Sequence, residues 1–444
     1  MLSNTALKRI LYLVWLGGLL VVEYGWYQAW AGSMPVLSEM LVGVGSLFGL
    51  LATYLFLTQF ILISGSKFIE ARWGLDRLAG SHANNGQVAF YILLLHVAAV
   101  VVGYNIRQGG GASDIPLTYV EMVKTLPGVV FAAVALWIFV FIIVSSIVMV
   151  VRKRLSYELW HFIHFATYLA VLLPIFHQLS LGATIAQPWF RTFWIALFSS
   201  SFGVIIWSKW LRPLLMYSYY RFEVDKVVDE ADGVRSVYIR SKRLPKFSWQ
   251  AGQFAFWWAP VKGLWYQPHP FTISSAQKEG VLRFTPKAIG SGSEAMQRLK
   301  PGDPMIIDGP YGRFTSVVSS GKKRLFIAGG IGITPIRAML GEYTSADDVL
   351  VYGAQTKADL AFYDDIVKWV KKNKLSLQVV LSQGSMKAAK KGRITTEEIQ
   401  SIAPDYLQRD IWICGPPPMM DAIETQLLEE GIDAGLIHTE RFKL

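Results

Sequence analysis

Four of the seven histidines in this 444-residue chain are spaced as metal ligands would be. His82 and His96 stand 14 residues apart in one apolar stretch; His164 and His177 stand 13 apart in another. On an α-helix, 14 residues rise about 21 Å and rotate the side chain by only about 40° net. His82 and His96 therefore share one helix face, one near each leaflet of a bilayer. An ionisable side chain inside a spanning helix is costly and marks function by default. The one cysteine, Cys414, excludes an internal disulfide, a Cys-based zinc site and a Cys-ligated iron–sulfur cluster. Neutral imidazole is left as a ligand for haem iron, and two stacked bis-histidine haems would satisfy all four rings. With the two helices running in one direction, His82 faces His164 and His96 faces His177.

A straight helix does not deliver the second pair. Thirteen residues rotate about 220° beyond whole turns, which aims His177 away from the face of His164. Pro174, three residues earlier, removes a backbone hydrogen bond and predicts a distortion between Ala170 and His177. His161, one turn before His164 on a neighbouring face, is an alternative ligand.

These histidines need apolar helices around them. Hydrophobic residues make up 52% of the chain and charged residues 17%, with mean hydropathy +0.35. Such a chain is too apolar to be disordered or wholly soluble. Residues 1–216 hold 13 of the 43 Lys/Arg and 7 of the 32 Asp/Glu. That half reads as a membrane all-α six-helix bundle, with spans near 10–30, 40–63, 86–104, 126–151, 157–179 and 189–211, each close to the ~20 residues a bilayer requires. The first run is too long for a signal-peptide core and lacks a cleavage pattern. Lys/Arg favour the loops of one side, ten against three, which puts the N-terminus and the second half in the cytoplasm of an inner or plasma membrane. That topology accounts for the net charge of +11; no nucleic-acid recognition motif accompanies it.

The second half divides again. Over residues 217–318, short alternating runs at 222–228, 234–240 and 253–258 are broken by Asp232-Gly233 and Ala251-Gly252. That predicts an antiparallel β-barrel. Over residues 319–444, buried-type strands at 325–328, 349–352, 377–381 and 411–414 alternate with helical stretches, predicting a parallel α/β sheet. Its first strand runs into Gly329-Gly330-Ile331-Gly332-Ile333-Thr334-Pro335, a turn that opens a helix and lets backbone approach a pyrophosphate. No acidic residue closely follows 349–353, where an NAD ribose would want one; Gln355, Thr356 and Lys357 suit a 2′-phosphate, favouring NADPH with NADH as the alternative. In the predicted barrel, Thr272 offers a hydroxyl and His269 an imidazole that can partner a phosphate.

Here the residues resemble known families. Tyr157-Glu158-Leu159-Trp160-His161-Phe162-Ile163-His164 is similar to the fifth helix of the ferric reductase-like transmembrane domain, in which a Trp precedes the inner haem ligand by four residues. That favours His164 over His161, and the spacings of 14 and 13 also match. One departure is His82-Ala83-Asn84-Asn85-Gly86, where that family often has an Arg after the first ligand; the role falls to Arg77 or to none. His269-Pro270-Phe271-Thr272-Ile273-Ser274-Ser275 resembles the flavin signature of the ferredoxin–NADP reductase superfamily. Lys287-Ala288-Ile289-Gly290-Ser291-Gly292-Ser293 looks like its second phosphate-cradling turn, and Asp308-Gly309-Pro310-Tyr311-Gly312 like its barrel closure. By the same resemblance, Cys414-Gly415-Pro416 lies by the nicotinamide, and Phe442, near the terminus, stacks on the flavin until nicotinamide displaces it.

The domain order resembles that of NADPH oxidases and ferric-chelate reductases, including single-chain bacterial homologues. The resemblance implies hydride transfer from NAD(P)H to FAD at a site including Phe442, Thr272 and Cys414. Electrons then pass through two b-type haems to an outer acceptor, either O2 giving superoxide or a ferric chelate. Two other readings remain: a reductase that feeds a partner, such as a periplasmic protein or a quinone, and a haem-free membrane anchor or transporter carrying a reductase domain.

Overall fold

The structure is a computed structural model that describes residues 4–152, 157–261, 268–315, 319–320, 323–342, 344–387 and 389–441. The chain forms two compact units, Met1–Ser66 with Arg77–Ser208, and Lys67–Asp76 with Lys209–Leu444.

Helices build the first 220 residues: α1 (Asn4–Trp30), α2 (Leu37–Leu62), α3 (Lys67–Trp73), α4 (Leu75–Arg107), α5 (Ile115–Thr125), α6 (Val129–Arg152), α7 (Tyr157–His164), α8 (Ala166–Leu172), α9 (Ile175–Leu181), α10 (Pro188–Ile206) and α11 (Arg212–Tyr220). Six stretches are long and apolar enough to cross a membrane: Thr5–Trp30, Leu37–Leu62, Arg77–Arg107, Val129–Met149, Leu159–Leu181 and Pro188–Tyr220. The protein is a multi-pass membrane protein. In the first unit, Leu57, Ile185, Phe190 and Trp194 are fully buried, while Leu13, Val14, Trp137 and Phe162 point outward. Outward-facing apolar side chains have a suitable solvent in lipid and none in water.

The fifth span is not one helix. It is interrupted at Phe165 and again at Leu173-Pro174, where Pro174 caps α9. Proline lacks the N–H that would bond Ala170 O, so the chain closes instead through Phe176 N to Leu173 O at 3.4 Å and Gln178 N to Pro174 O at 3.1 Å. The second break lies inside the segment where the sequence predicts a distortion. The first, at Phe165, has no proline to announce it.

The second unit opens with six strands: β1 (Phe222–Ala231), β2 (Val234–Arg240), β3 (Phe254–Trp258), β4 (His269–Thr272), β5 (Leu282–Phe284) and β6 (Pro304–Tyr311). They form an open antiparallel sheet, ordered β4-β3-β6-β1-β2-β5, and not the closed barrel that the alternating pattern suggests. The edge strands are short, four residues in β4 and three in β5. Among the described residues they meet through one isolated bridge, Ile273 to Phe284, too little pairing to make a continuous seam. The sheet wraps an aromatic core in which Trp257 stacks on Phe284 at 4.4 Å between ring centres and donates its indole N–H to Phe271 O. A short helix, α12 (Ser291–Met296), packs against it.

The remaining strands are β7 (Arg324–Gly329), β8 (Val349–Ala354), β9 (Ser376–Leu381), β10 (Ala389–Lys391), β11 (Asp410–Cys414) and β12 (Ile437–Glu440). They make a parallel sheet ordered β10-β9-β8-β7-β11-β12. Helices α13 (Ile333–Glu342), α14 (Tyr363–Asn373), α15 (Thr396–Ile402) and α16 (Pro417–Glu429) provide the crossovers. Two apolar cores, one holding Phe326, Ile336 and Trp412 and the other Leu325, Ile411 and Ile423, contain inward residues of alternate strand faces. That is the burial expected of a parallel sheet covered on both sides.

Asp410, fully buried at the start of β11, clamps the connection between the two sheets. Its carboxylate accepts from Ser319 Oγ, Ser320 N and Ser320 Oγ at 2.8–2.9 Å, and His438 Nε2 lies 3.4 Å from its other oxygen. Burial opposes ionisation, but these hydrogen bonds outweigh it and hold the carboxyl below its usual range. A depressed folded-state pKa contributes stability above the unfolded value of about 3.9, and that contribution is lost as pH falls through the folded value. Asp410→Asn should therefore lower the thermal unfolding temperature at neutral pH and flatten the acid limb of a plot of that temperature against pH. Parallel curves for the two proteins across the acid limb would refute the clamp.

Candidate redox sites

In the first unit, the break before α9 turns His177 back towards α4. The His82 and His164 ring centres lie 6.1 Å apart, and those of His96 and His177 lie 6.4 Å apart. A metal–imidazole bond is about 2.0 Å and the ring nitrogen lies about 1.1 Å from the ring centre, so two imidazoles in line across one metal have centres about 6.2 Å apart. Both pairs sit at that separation. Among the described residues no group of three or more His, Cys, Asp or Glu could hold a bare metal ion. Two axial donors per site suit a macrocycle that brings its own equatorial nitrogens. The residues therefore fit b-type haem.

The surroundings orient each ring. Gln59 Nε2 donates to His82 O at 3.0 Å, holding the backbone of that turn to α2. Trp160 stacks near His164 at 5.0 Å between ring centres and donates its indole N–H to Ser146 Oγ on α6 at 2.9 Å. His161 instead sets its ring edge-on to Phe165 at 5.0 Å. His96 Nδ1 lies 2.7 Å from Gly45 O on α2. Gln178, next to His177, is buried in a chain of hydrogen bonds: its Nε2 donates to Thr53 Oγ1 at 2.9 Å, and its Oε1 accepts from Trp194 Nε1 at 3.0 Å. Sequence reasoning missed Gln178 and the glycines of α2. A legible signal for the glycines is Gly45-x-x-x-Gly49, a small-residue pair at one-turn spacing inside an apolar helix. Arg77, the substitute considered for the missing Arg, is exposed.

In the second unit, the flavin-type motifs converge. A Cβ on Gly292 would collide with the His269 imidazole, so glycine lets that ring lie against the turn Gly290-Ser291-Gly292-Ser293. The Ser293 hydroxyl accepts from Ile289 N and Gly290 N at 3.0 and 3.1 Å and holds the turn in shape. Thr272 is buried at the end of β4, after Pro270 and the half-buried Phe271. The Ser274 hydroxyl is shared with Thr285 Oγ1 at 2.8 Å, and that of Ser275 donates to Val281 O at 2.6 Å. Both serine side chains are thus committed to the fold. Lys287 is paired with Asp359 at 3.2 Å, across from one sheet to the other. Burial works against the ionisation of Asp359, but hydrogen bonds from Thr356 and Lys287 outweigh it and keep the carboxyl below its usual range.

The nucleotide-type motifs also meet. Gly330 adopts φ +53°, which favours glycine, between β7 and α13. A Cβ on Gly332 would lie 2.5 Å from the carbonyl carbon of Cys414 and 2.7 Å from Gly415 Cα. A Cβ on Gly329 would lie 2.8 Å from Pro416 Cδ. The turn and Cys414-Gly415-Pro416 therefore form one surface, with the Thr334 hydroxyl bonded to Ile331 O at 3.0 Å and Pro335 buried in α13. Cys414 is fully buried, and burial followed by the nearby Glu440 raises its thiol well above its usual range. A thiol so placed is neutral and inert towards oxidants. Lys357 is exposed in the turn after β8. Phe442 lies outside the described residues. The chain leading to it is fixed: Glu440 pairs with Cys414 in the sheet, and Arg441 forms ion pairs with Asp421 and Glu424.

An antiparallel sheet carrying a flavin-type signature, followed by a parallel sheet with a glycine turn, defines a flavin and nicotinamide reductase, here continuous with membrane helices. Family models agree. Residues 48–175 match the ferric reductase like transmembrane component, 231–315 an FAD-binding domain and 326–425 the oxidoreductase NAD-binding domain. The chain has the architecture of NADPH oxidases and ferric reductases: a ferric reductase-like membrane domain joined to FAD- and NAD-binding domains of the ferredoxin reductase type. The three matched domains are of ferric reductase, flavin-binding and nicotinamide oxidoreductase type. The glycine betaine monooxygenase reductase subunit of Pseudomonas aeruginosa is 28% identical over 231 residues, covering 49% of this chain and 62% of that one. The xylene/toluene monooxygenase electron transfer component of Pseudomonas putida is 32% identical over 156 residues, 32% of this chain and 43% of that one. The flavohem-like FAD/NAD-binding domain of a Vibrio cholerae nitric oxide dioxygenase matches 50% of this chain and 98% of its own, at 22% identity and TM-score 0.45.

Gly332→Ala should push the glycine turn off Cys414-Gly415, where both contacts are backbone. We expect the KM for NAD(P)H to rise by about tenfold or more, equivalent to ~1.4 kcal/mol of lost binding. Steady-state reduction of an artificial acceptor measures it, and an unchanged KM would show that the turn is remote from the nucleotide.

Proposed function

We propose that this protein transfers electrons across the membrane from cytosolic NAD(P)H to an acceptor on the outer face, using FAD and two bis-histidine b-type haems. The observation that carries the reading is the separation of the two histidine pairs, 6.1 and 6.4 Å between ring centres. When bound, FAD supplies the exchange between a hydride donor and single-electron carriers, and haem supplies the single-electron relay.

In this reading His82 and His164 hold the inner haem, and His96 and His177 the outer. Thr272 and Phe271 border the flavin ring, and His269, Lys287 and the turn Gly290-Ser291-Gly292-Ser293 hold its phosphates. Gly329, Gly330, Gly332, Thr334, Pro335, Gly415 and Pro416 hold the dinucleotide, with Lys357 beside a 2′-phosphate, so that NADPH is preferred over NADH. Ser274 and Ser275 act through their backbone, their hydroxyls being turned into the fold. Cys414 shapes the nicotinamide floor as a buried neutral thiol. Phe442 covers the flavin until nicotinamide enters. The protein's work is positioning: it aligns the groups and keeps water from them. Residues 1–216, 217–318 and 319–444 serve as the haem, FAD and nucleotide domains, with both termini cytoplasmic in an inner or plasma membrane.

Were His96 and His177 both to hold the outer haem, the acceptor would be reduced beside it rather than bound to its iron. O2, giving superoxide, fits that arrangement. The ferric reductase-like match over residues 48–175 supports a second acceptor, a ferric chelate.

The test is the visible spectrum of the detergent-purified protein, recorded without oxygen before and after NADPH. We expect flavin bleaching, a Soret band that shifts on reduction and sharp low-spin haem bands. His96→Leu and His177→Leu should each cut haem content from two per chain to one while leaving flavin reduction intact. A flavin spectrum without haem would overturn the relay. Superoxide trapping and ferrous-chelate absorbance after readmitting each acceptor separate the two reactions.

A further inference from the structure

One contact at the His96–His177 pair is not required by the transfer path. At His96–His177, α2 and α4 cross at backbone distance. A Cβ on Gly45 would lie 2.7 Å from Val100 Cγ2, and one on Gly103 would lie 2.8 Å from Val42 Cγ2 and 2.9 Å from Ser38 O. At the same crossing a Cβ on Gly49 would lie 2.8 Å from His96 Nδ1. Only because α2 is bare here does His96 Nδ1 come within 2.7 Å of Gly45 O. A carbonyl can only accept, so Nδ1 carries the proton and Nε2 keeps its lone pair for a metal. Of the other three rings, His82 lies by the Gln59 backbone and His177 by the Pro174 backbone, and none of their Nδ1 atoms reaches hydrogen-bonding geometry among the described residues.

We propose that Gly45 and Gly49 are positioning residues that fix the tautomer and tilt of His96 and strengthen it as a donor. The inference rests on the bis-histidine haem reading. A ligating imidazole that donates its second N–H to a carbonyl is a more basic ligand and favours the more highly charged state of its metal. The His96–His177 centre therefore has a lower reduction potential than the same ligands would give without the α2 contact. A low potential at the exit side suits a weak oxidant such as O2.

The test is an anaerobic redox titration of the detergent-purified protein, followed at the haem bands and by low-temperature electron paramagnetic resonance. Gly49→Ala is compared with Gly203→Ala, a helix glycine with nothing within 4 Å of the added carbon. In Gly49→Ala one of two components should move to higher potential with a changed resonance envelope. The other should stay, and NADPH-driven flavin bleaching should keep its rate. Gly45→Ala, which meets Val100 and not the imidazole, should move the same component in the same direction by a smaller amount. Gly203→Ala should titrate as the unaltered protein does. Two haems whose components are unmoved in both α2 variants, or move together, overturn the inference. An unaltered protein without a Soret band overturns the haem reading beneath it.

Discussion

An imidazole placed inside an apolar helix bundle has lost water and must have its ring nitrogens satisfied by something else. The membrane half of this protein is organised around that constraint. Four such rings are brought into two facing pairs, and much of the local irregularity serves the pairing. α4 is unbroken from Leu75 to Arg107 and carries both His82 and His96. The opposing span is cut into three pieces, because an unbroken helix would aim His177 elsewhere. Pro174 makes the decisive cut by withholding one backbone donor. Gln178 then fastens the reset turn to α2 and α10 through Thr53 and Trp194.

Glycine does similar work in both units, wherever two backbones or a backbone and a ring must touch. Gly45 and Gly49 admit His96 to α2, Gly292 admits His269 to the turn before α12, and Gly332 admits Cys414. Each contact joins segments distant in sequence. The price of these approaches is a set of positions where a single methyl group displaces a neighbour.

Charged groups in the second unit link the two sheets. Lys287 meets Asp359, and Arg337 at the heart of α13 meets Glu279 at 2.5 Å and lies 6.0 Å from the Phe362 ring centre. The flavin-type and nucleotide-type motifs are thus held together by ion pairs as well as by the Asp410 clamp. Lys287 shows how this constrains a role: it opens the turn that resembles a phosphate cradle, but its ammonium already has a carboxylate. A diphosphate arriving there would share it with Asp359.

Much of this was legible in the chain itself. Hydropathy marked six spans, because a bilayer demands about twenty apolar residues whatever the tertiary fold. Alternating and buried strand patterns marked an antiparallel sheet and then a parallel one. Histidine spacing and Pro174 pointed to two pairs and a broken helix, since rise and rotation per residue are local quantities. Closure of the flavin sheet was not legible: it depends on how many bonds two short edge strands share, and β4 and β5 share too few. Nor were the directions of the Ser274 and Ser275 hydroxyls, the burial of Cys414, or the pairing of Lys287. Each is settled by a neighbour outside its own strand or turn, Thr285, Val281, Gly332 and Asp359 among them. Local sequence determined which elements form and which residues could carry the chemistry. Tertiary packing decided which of those residues remain available, because availability is a property of the partners that folding brings into contact.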